Sequence, residues 1–179
     1  MNSEDMETFF ALSVIKNVMQ KYIISTDTSN DDVRITTTKE NLIELVKFMK
    51  EDSRLNFDML SDLFGVDYPK RNERIEVIYN LYSTKNNFRI FVKCQSKIDE
   101  PDYPSLTSIY ESANWFEREV YDLFGLKFKG HPHLKRILNP EDWDGHPLLK
   151  DYPLRKRPAV EELNFDAPGF LEEKEFGNK

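Results

Sequence analysis

Two stretches of alternating character, RIEVIYNLYS (74–83) and NFRIFVKCQ (87–95), lie either side of the polar residues TKNN. In the first, Ile75, Val77, Tyr79 and Leu81 alternate with Glu76, Ile78, Asn80 and Tyr82. In the second, Phe88, Ile90, Val92 and Cys94 alternate with Arg89, Phe91, Lys93 and Gln95. A period of two puts each apolar set on one face of a strand, and the short polar link suits a hairpin. A third strand is expected within NFDMLSDLFGVDYP (56–69), which is apolar at every second or third residue, and a short one at VRIT (33–36).

Helical spacing occurs three times. Residues 4–20 carry Phe9, Leu12, Val14, Ile15, Val18 and Met19 as an apolar face, with Ser3 as a cap. After the polar turn TDTSNDD, Thr37 and Glu40 form a capping-box pattern opening a helix over 38–50, with Leu42, Ile43, Leu45, Val46, Phe48 and Met49 on its buried side. Within 112–125, Trp115, Phe116, Val120, Leu123 and Phe124 form a stripe. Ser112 or Asn114 can cap that helix, Asn114 with Glu117 approximates a capping box, and Gly125 ends it. The expected fold class is α+β: a small, mostly antiparallel sheet packed with about three helices over residues 1–128, then an extended docking segment and acidic tail over 129–179.

That second part obeys other rules. Residues 129–158 hold five of the nine prolines and no sustained period. Such long irregular segments are functional loops, linkers or disorder. This one keeps Leu134, Ile137, Leu138, Trp143, Leu148, Leu149, Tyr152 and Leu154, side chains that need a surface to cover. From Lys127 to Arg157 eight basic residues outnumber four acids, whereas the last nineteen residues hold six acids and two lysines. A basic, apolar, proline-held segment in a chain of net charge -7 suits an acidic protein surface and argues against a general nucleic-acid binder.

Several other classes are excluded. No apolar run approaches the ~18 residues a membrane helix needs. The acidic start MNSEDMETFF is unlike a secretory signal or an Arg-rich transit peptide. A single cysteine, Cys94, allows no internal disulfide, zinc ribbon or cysteine-held cluster, and its place on an apolar strand face suits a buried inert thiol.

The candidate chemistry sits in two places. All three histidines, His131, His133 and His146, lie in the proline-rich stretch, with Asp142, Asp144 and Asp151 near. Together they make a conceivable metal set without a strong spacing signature, against imidazoles that hydrogen-bond and fix an extended shape. On the third helix, Glu117, Glu119 and Asp122 are candidate acid–base groups, set against a solvated face or ionic contacts to another chain; Arg118 and Asp122, four apart, can pair.

One stretch names a family. ANWFEREVYDLFGLKFKGHPHLKRILNPEDWDGHPLLKDYPL (113–154) closely resembles the signature of the thirty-kilodalton-type subunit of proton-pumping NADH:quinone oxidoreductase, respiratory complex I. SLTSIY (105–110), VDYP (66–69) and VIYNLYS (77–83) look like the same family in the same order. The resemblance covers roughly 56–158. It implies a peripheral-arm subunit with no catalytic, cofactor or metal residues of its own; FMN, iron–sulfur clusters and quinone belong to other subunits. It implies that the α/β domain packs beside the hydrogenase-like large subunit, among other peripheral-arm subunits, and that the C-terminal extension wraps over that partner as a strap. Membrane association then arises only through the complex, on the cytoplasmic face of a bacterial inner membrane or the matrix side of the mitochondrial one.

Carried over by position, the partner-docking residues are Glu117, Arg118, Glu119, Asp122, Gly130, His131, Pro132, Arg136, Trp143, Gly145, Pro147, Lys150, Asp151, Tyr152 and Pro153. Leu149 stands where the family usually carries an arginine, whose forked contact to a carboxylate leucine cannot make. Related subunits occur in membrane-bound hydrogenases and ferredoxin-linked quinone reductases. A free-standing metal enzyme built on the three histidines is the alternative of another class.

Overall fold

The two alternating stretches fold as the hairpin they predict: Ile75–Ser83 and Phe88–Ser96 pair antiparallel from Ile75 opposite Ser96 to Ser83 opposite Phe88. The turn between them is closed by Asn87, whose φ of 55° is tolerated because asparagine enters the left-handed region more readily than most residues. The structure is a computed structural model describing residues 3–29 and 32–153, with side chains from residue 10 onward. The acidic tail, the basic run Arg155, Lys156 and Arg157, and the apolar Phe9 and Leu154 lie outside what it describes for side chains.

In chain order the elements are α1 (Ser3–Met19), a 3-10 turn (Gln20–Tyr22), β1 (Ser25–Asp27), β2 (Arg34–Thr37), α2 (Leu42–Glu51), β3 (Met59–Asp67), β4 (Ile75–Ser83), β5 (Phe88–Ser96), β6 (Asp102–Pro104), α3 (Ala113–Phe124) and β7 (Lys127–Lys129). Five strands form one mixed sheet in the order β1-β2-β5-β4-β3. Its pairs are antiparallel except β2 with β5. The parallel pair follows from connectivity: β2 reaches β5 through α2 and the β3–β4 meander, a crossover rather than a hairpin.

Ile75, Val77, Tyr79 and Leu81 of β4 and Phe88, Ile90, Val92 and Cys94 of β5 are all buried and share one cluster with residues of all three helices. Phe57 meets Phe88 edge-on at 5.1 Å, a pairing worth about 0.5–1.5 kcal/mol beyond its buried area. The α+β expectation holds, with three helices against the sheet.

Local expectations fared unevenly. Val18, placed on the buried face of α1, is about half exposed, while Ala11, Leu12, Val14, Ile15 and Met19 are buried. The short edge strand β1 runs into the start of the polar turn after α1. The capping box at Thr37 and Glu40 does not form. The Thr37 hydroxyl donates to the Tyr22 carbonyl at 2.6 Å, and α2 begins later, behind Asn41, with no side-chain cap. Ile43 and Phe48 pack at the rim of the core rather than inside it.

The second sheet was not foreseen. β6, inside the Pro-rich loop, pairs parallel with β7, and α3 forms the connection between them. This β6–α3–β7 unit fixes both ends of α3. Gly65 of β3 lies beneath it, where a Cβ would come within 2.9 Å of the Phe124 ring.

Candidate docking site on helix α3

Helix α3 buries acidic side chains on two sides, and each ties the helix to a different segment. Asp122, fully buried, faces the proline-rich stretch. Its Oδ2 accepts main-chain N–H groups of Ile137, Leu138 and Asn139 at 2.8–3.0 Å. Its Oδ1 accepts from Arg136 Nη1 at 2.7 Å and Asn139 Nδ2 at 3.0 Å. Burial pushes the Asp122 pKa up; the hydrogen bonds from Asn139, Arg136 and Leu138 outweigh it and hold the carboxyl well below its ordinary 3.8.

Arg136 extends the knot. Its Nη2 donates to the carbonyls of Trp143 and Gly145 at 3.0 and 3.1 Å, drawing residues 136–145 into a closed loop. Arg118, one turn back on α3, donates to the carbonyls of Lys135 and Arg136. The pairing of Arg118 with Asp122 that helical spacing allows is therefore replaced: the acid takes Arg136, and Arg118 takes carbonyls and lies 5.0 Å from the Trp115 ring centre.

The histidines serve the same fastening. His131 Nε2 lies 3.1 Å from the Asn114 carbonyl, and its Nδ1 accepts the His133 N–H at 3.0 Å. His146 Nδ1 lies 2.9 Å from the Asp122 carbonyl. Its ring fills the space beside Gly125, whose φ of 77° ends α3 in the left-handed conformation and whose absent Cβ would stand 2.6 Å from that ring. Among the described residues no group of three or more His, Cys, Asp or Glu is placed to hold a metal ion.

Farther on, the strap crosses to the end of the sheet. Leu148 N–H donates to the Leu123 carbonyl at 3.1 Å. Lys150 N–H donates to Asp67 Oδ2 at 2.7 Å, and Arg74 forks onto Asp67 at 2.6 and 2.7 Å while reaching Asp151 at 2.5 Å. The Arg74 contact is the main reason the Asp67 carboxyl sits below its ordinary pKa, with burial opposing it. Gly145, at φ 88°, leaves room for the Tyr152 ring, 2.9 Å from where a Cβ would stand. Leu149, at the position of the family's usual arginine, packs against the hydrophobic core.

Glu117 turns the other way. It too is fully buried, so neither acid lies on a solvated helix face. It makes no capping box with Asn114; it accepts the Ser105 hydroxyl at 2.7 Å and the Leu106 N–H at 2.6 Å. Burial pushes its pKa up to about 7, partly offset by those two bonds.

The structure thus gathers Asp122, Arg136, Trp143, Gly145 and His146 into one knot and His131 and Arg118 beside it. Lys150 and Asp151 meet Asp67 and Arg74 at the sheet's end. Glu119, Gly130, Pro132 and Pro153 are exposed, and Pro147 and Tyr152 are half-buried. Sequence reasoning did not single out Asp67, Arg74, Ser105 or Asn139, although all four lie in stretches it quoted: VDYP, RIEVIYNLYS, SLTSIY and the motif over 113–154. Left facing outward are Trp115, Leu138 and Leu148, about half or more exposed, and Ile137, about a third exposed. Cys94 is buried, and burial pushes its thiol far above the ordinary range, away from nucleophilic use.

Comparison with known proteins gives the family. Residues 35–158 match the family of the respiratory-chain NADH dehydrogenase 30 Kd subunit. A subunit of NADH-quinone oxidoreductase from Rhizobium rhizogenes is 44% identical over 131 residues, 73% of this chain and 65% of that protein. The corresponding NADH-quinone oxidoreductase subunit from a Roseiflexus species is 44% identical over 75% of each chain. NADH-ubiquinone oxidoreductase subunit 9 of Reclinomonas americana is 44% identical over 81% of this chain and 70% of its own length. The match thus spans about two thirds to three quarters of these relatives. A trypsin-resistant fragment of Nqo5 superposes with a TM-score of 0.62 at 30% identity, over 72% of this chain and 99% of that one. A chain of a membrane-bound sulfane sulfur reductase, an archaeal respiratory membrane complex, shares the fold with a TM-score of 0.68 at 21% identity over 95% of this chain. This chain therefore belongs to the 30 Kd subunit family of the respiratory-chain NADH dehydrogenase, the NADH-quinone oxidoreductase of bacteria.

Proposed function

We propose that this chain is a structural subunit of the peripheral arm of complex I, and that residues 130–153 with the outer face of α3 dock on the hydrogenase-like large subunit. The supporting observation is the knot at Asp122: the strap is held by its main chain, so that Trp115, Ile137, Leu138 and Leu148 are presented outward. Apolar side chains held rigidly on a surface suit a permanent protein interface.

In this reading electrons pass from NADH through FMN and iron–sulfur clusters to quinone on other subunits, coupled to proton translocation, and this chain holds none of those groups. The chain sits on the cytoplasmic or matrix face of the membrane and reaches it only through the complex. Among the described residues no helix is long and apolar enough to cross a bilayer, which fits that placement.

The test is purification in mild detergent through a tag on this chain, followed by a native gel stained for NADH dehydrogenase activity. The expected result is a large NADH-active band containing the hydrogenase-like large subunit. A band with hydrogenase activity and no NADH activity, or a lone chain carrying stoichiometric metal, would overturn the reading.

A further inference from the structure

Four carboxylates are buried in this fold, and one of them differs in kind. Asp122 and Asp67 each face an arginine, and Glu76 is paired with Lys93 and Arg71. Glu117 is fully buried, and no lysine, arginine or histidine among the described residues pairs with it. Its partners are neutral: the Ser105 hydroxyl on one oxygen and the Leu106 N–H on the other.

The buried titratable groups of the same core offer no compensating charge. Tyr79 of β4 lies close enough to interact electrostatically with it, and the Tyr79 hydroxyl is buried with no hydrogen-bond partner. Cys94 of β5, Tyr103 of β6 and Tyr110 are buried, and burial pushes each toward its neutral form. The cations on and beside α3 and residues 105–110 are engaged elsewhere. Lys50 donates to the Ile109 carbonyl, Lys129 pairs with Asp102, Arg118 binds strap carbonyls and Arg136 holds Asp122. Glu119 and Glu111 are exposed.

A path leads out from this carboxylate. Ser105 Oγ, 2.7 Å from Glu117 Oε2, is also 2.8 Å from Thr107 Oγ1. Thr107 is only partly buried and lines a cleft of about 470 Å³ with Lys50, Asp58, Ser108 and Ser112. Hydroxyls both donate and accept, so this row of oxygens can run in either direction.

We propose that Glu117 is a proton-binding site, filled and emptied from the Thr107 cleft through Ser105, with the contact between α3 and residues 105–107 kept in both states. On filling, Ser105 gives its proton to Glu117 Oε2, Thr107 gives its own to Ser105, and water at the cleft replaces that of Thr107. One proton enters from solvent and no hydrogen bond is lost. Ser105 changes from donor toward Glu117 to acceptor from it, and the Leu106 N–H stays on Oε1. The burial that pushes Glu117 up to about 7 puts this exchange in the physiological range. The site lies wholly within this chain and stands whatever the strap docks on.

The full 179-residue chain, labelled with carbon-13 at the glutamate carboxyls, tests this by NMR across pH 4 to 9. One resonance, absent in Glu117→Gln, is expected to titrate about two pH units or more above the exposed glutamates. Thr107→Val removes the acceptor that Ser105 needs when Glu117 is protonated, so the midpoint is expected to move down in that variant. A merely structural clamp would leave the midpoint where it was. A Glu117 midpoint in the ordinary glutamate range would overturn the proton site, and an unmoved midpoint in Thr107→Val would overturn the relay. Should Glu117→Gln fail to fold, the high-titrating resonance of the wild-type chain and its shift in Thr107→Val still decide the matter.

Discussion

The carboxylate of Asp122 meets the guanidinium of Arg136 at 2.7 Å, fourteen residues along the chain, and both lie at the point where the strap turns back on the helix. Arg136 in turn holds the carbonyls of Trp143 and Gly145, so one ion pair organises residues 136–145, which have no regular structure. Removing one member of such a pair strands the other. Arg136→Ala and Asp122→Ala are each expected to destabilise the chain by about 3–5 kcal/mol in urea unfolding. The double variant should cost clearly less than the sum, because the second change removes a charge the first had orphaned. Strict additivity would show that the two residues act separately.

Gly125 is tested by a single methyl. At φ 77°, with a Cβ position 2.6 Å from the His146 ring, Gly125→Ala combines backbone strain with a steric overlap. A loss of about 1–3 kcal/mol is expected, read as a lowered Tm. In a His146→Ala background the overlap disappears and only the backbone part should remain. An equal penalty in both backgrounds would mean that the ring is not the obstacle.

The outward side chains separate assembly from folding. Leu138 is 62% exposed while its N–H is held by Asp122. Leu138→Glu is therefore expected to change the stability of the isolated chain by no more than about 0.5 kcal/mol, yet to reduce its recovery in the assembled complex. Normal recovery would move the interface off this face.

The buried acids make stability depend on pH from both sides. Asp122 and Asp67 have folded pKa values below 3.8, so their contribution is present above that value and is lost as pH falls through the lowered ones. Glu117 is raised from 4.5 to about 7, so its contribution is complete below 4.5 and disappears as pH rises through about 7. The rising side amounts to something on the order of 3 kcal/mol. Maximal stability is expected at mildly acidic pH, checked by unfolding across pH 3 to 9. Glu117→Gln should flatten the neutral side alone; a wild-type curve already flat between pH 5 and 8 would contradict this.

What the sequence disclosed follows from where periodicity is strong. Strands Ile75–Ser83 and Phe88–Ser96 carry nine residues of alternation each and were legible almost to the residue. Met59–Asp67 was harder, because a bulge between Leu60 and Asp62 breaks its period. β1, β6 and β7 are three residues long, too short for any period, and exist because neighbours pair with them. In the site, the motif marked the residues but not their directions. Nothing local says that Glu117 turns to Ser105 while Asp122, five residues on, turns to the strap. Nor does spacing show that Asp122 prefers Arg136, across a loop, to Arg118 on its own helix; the tertiary contact brings three backbone N–H groups that a helical neighbour cannot supply.

The knot at Asp122 has a consequence for how such a chain evolves. It grips residues 137 and 138 by their amide groups and leaves their side chains outside. Main-chain groups are the same for every amino acid except proline. Substitutions at these two positions can therefore change the outer surface without disturbing the fastening beneath. The fastening and the outer surface are written in different parts of the same residues, and each can drift without the other.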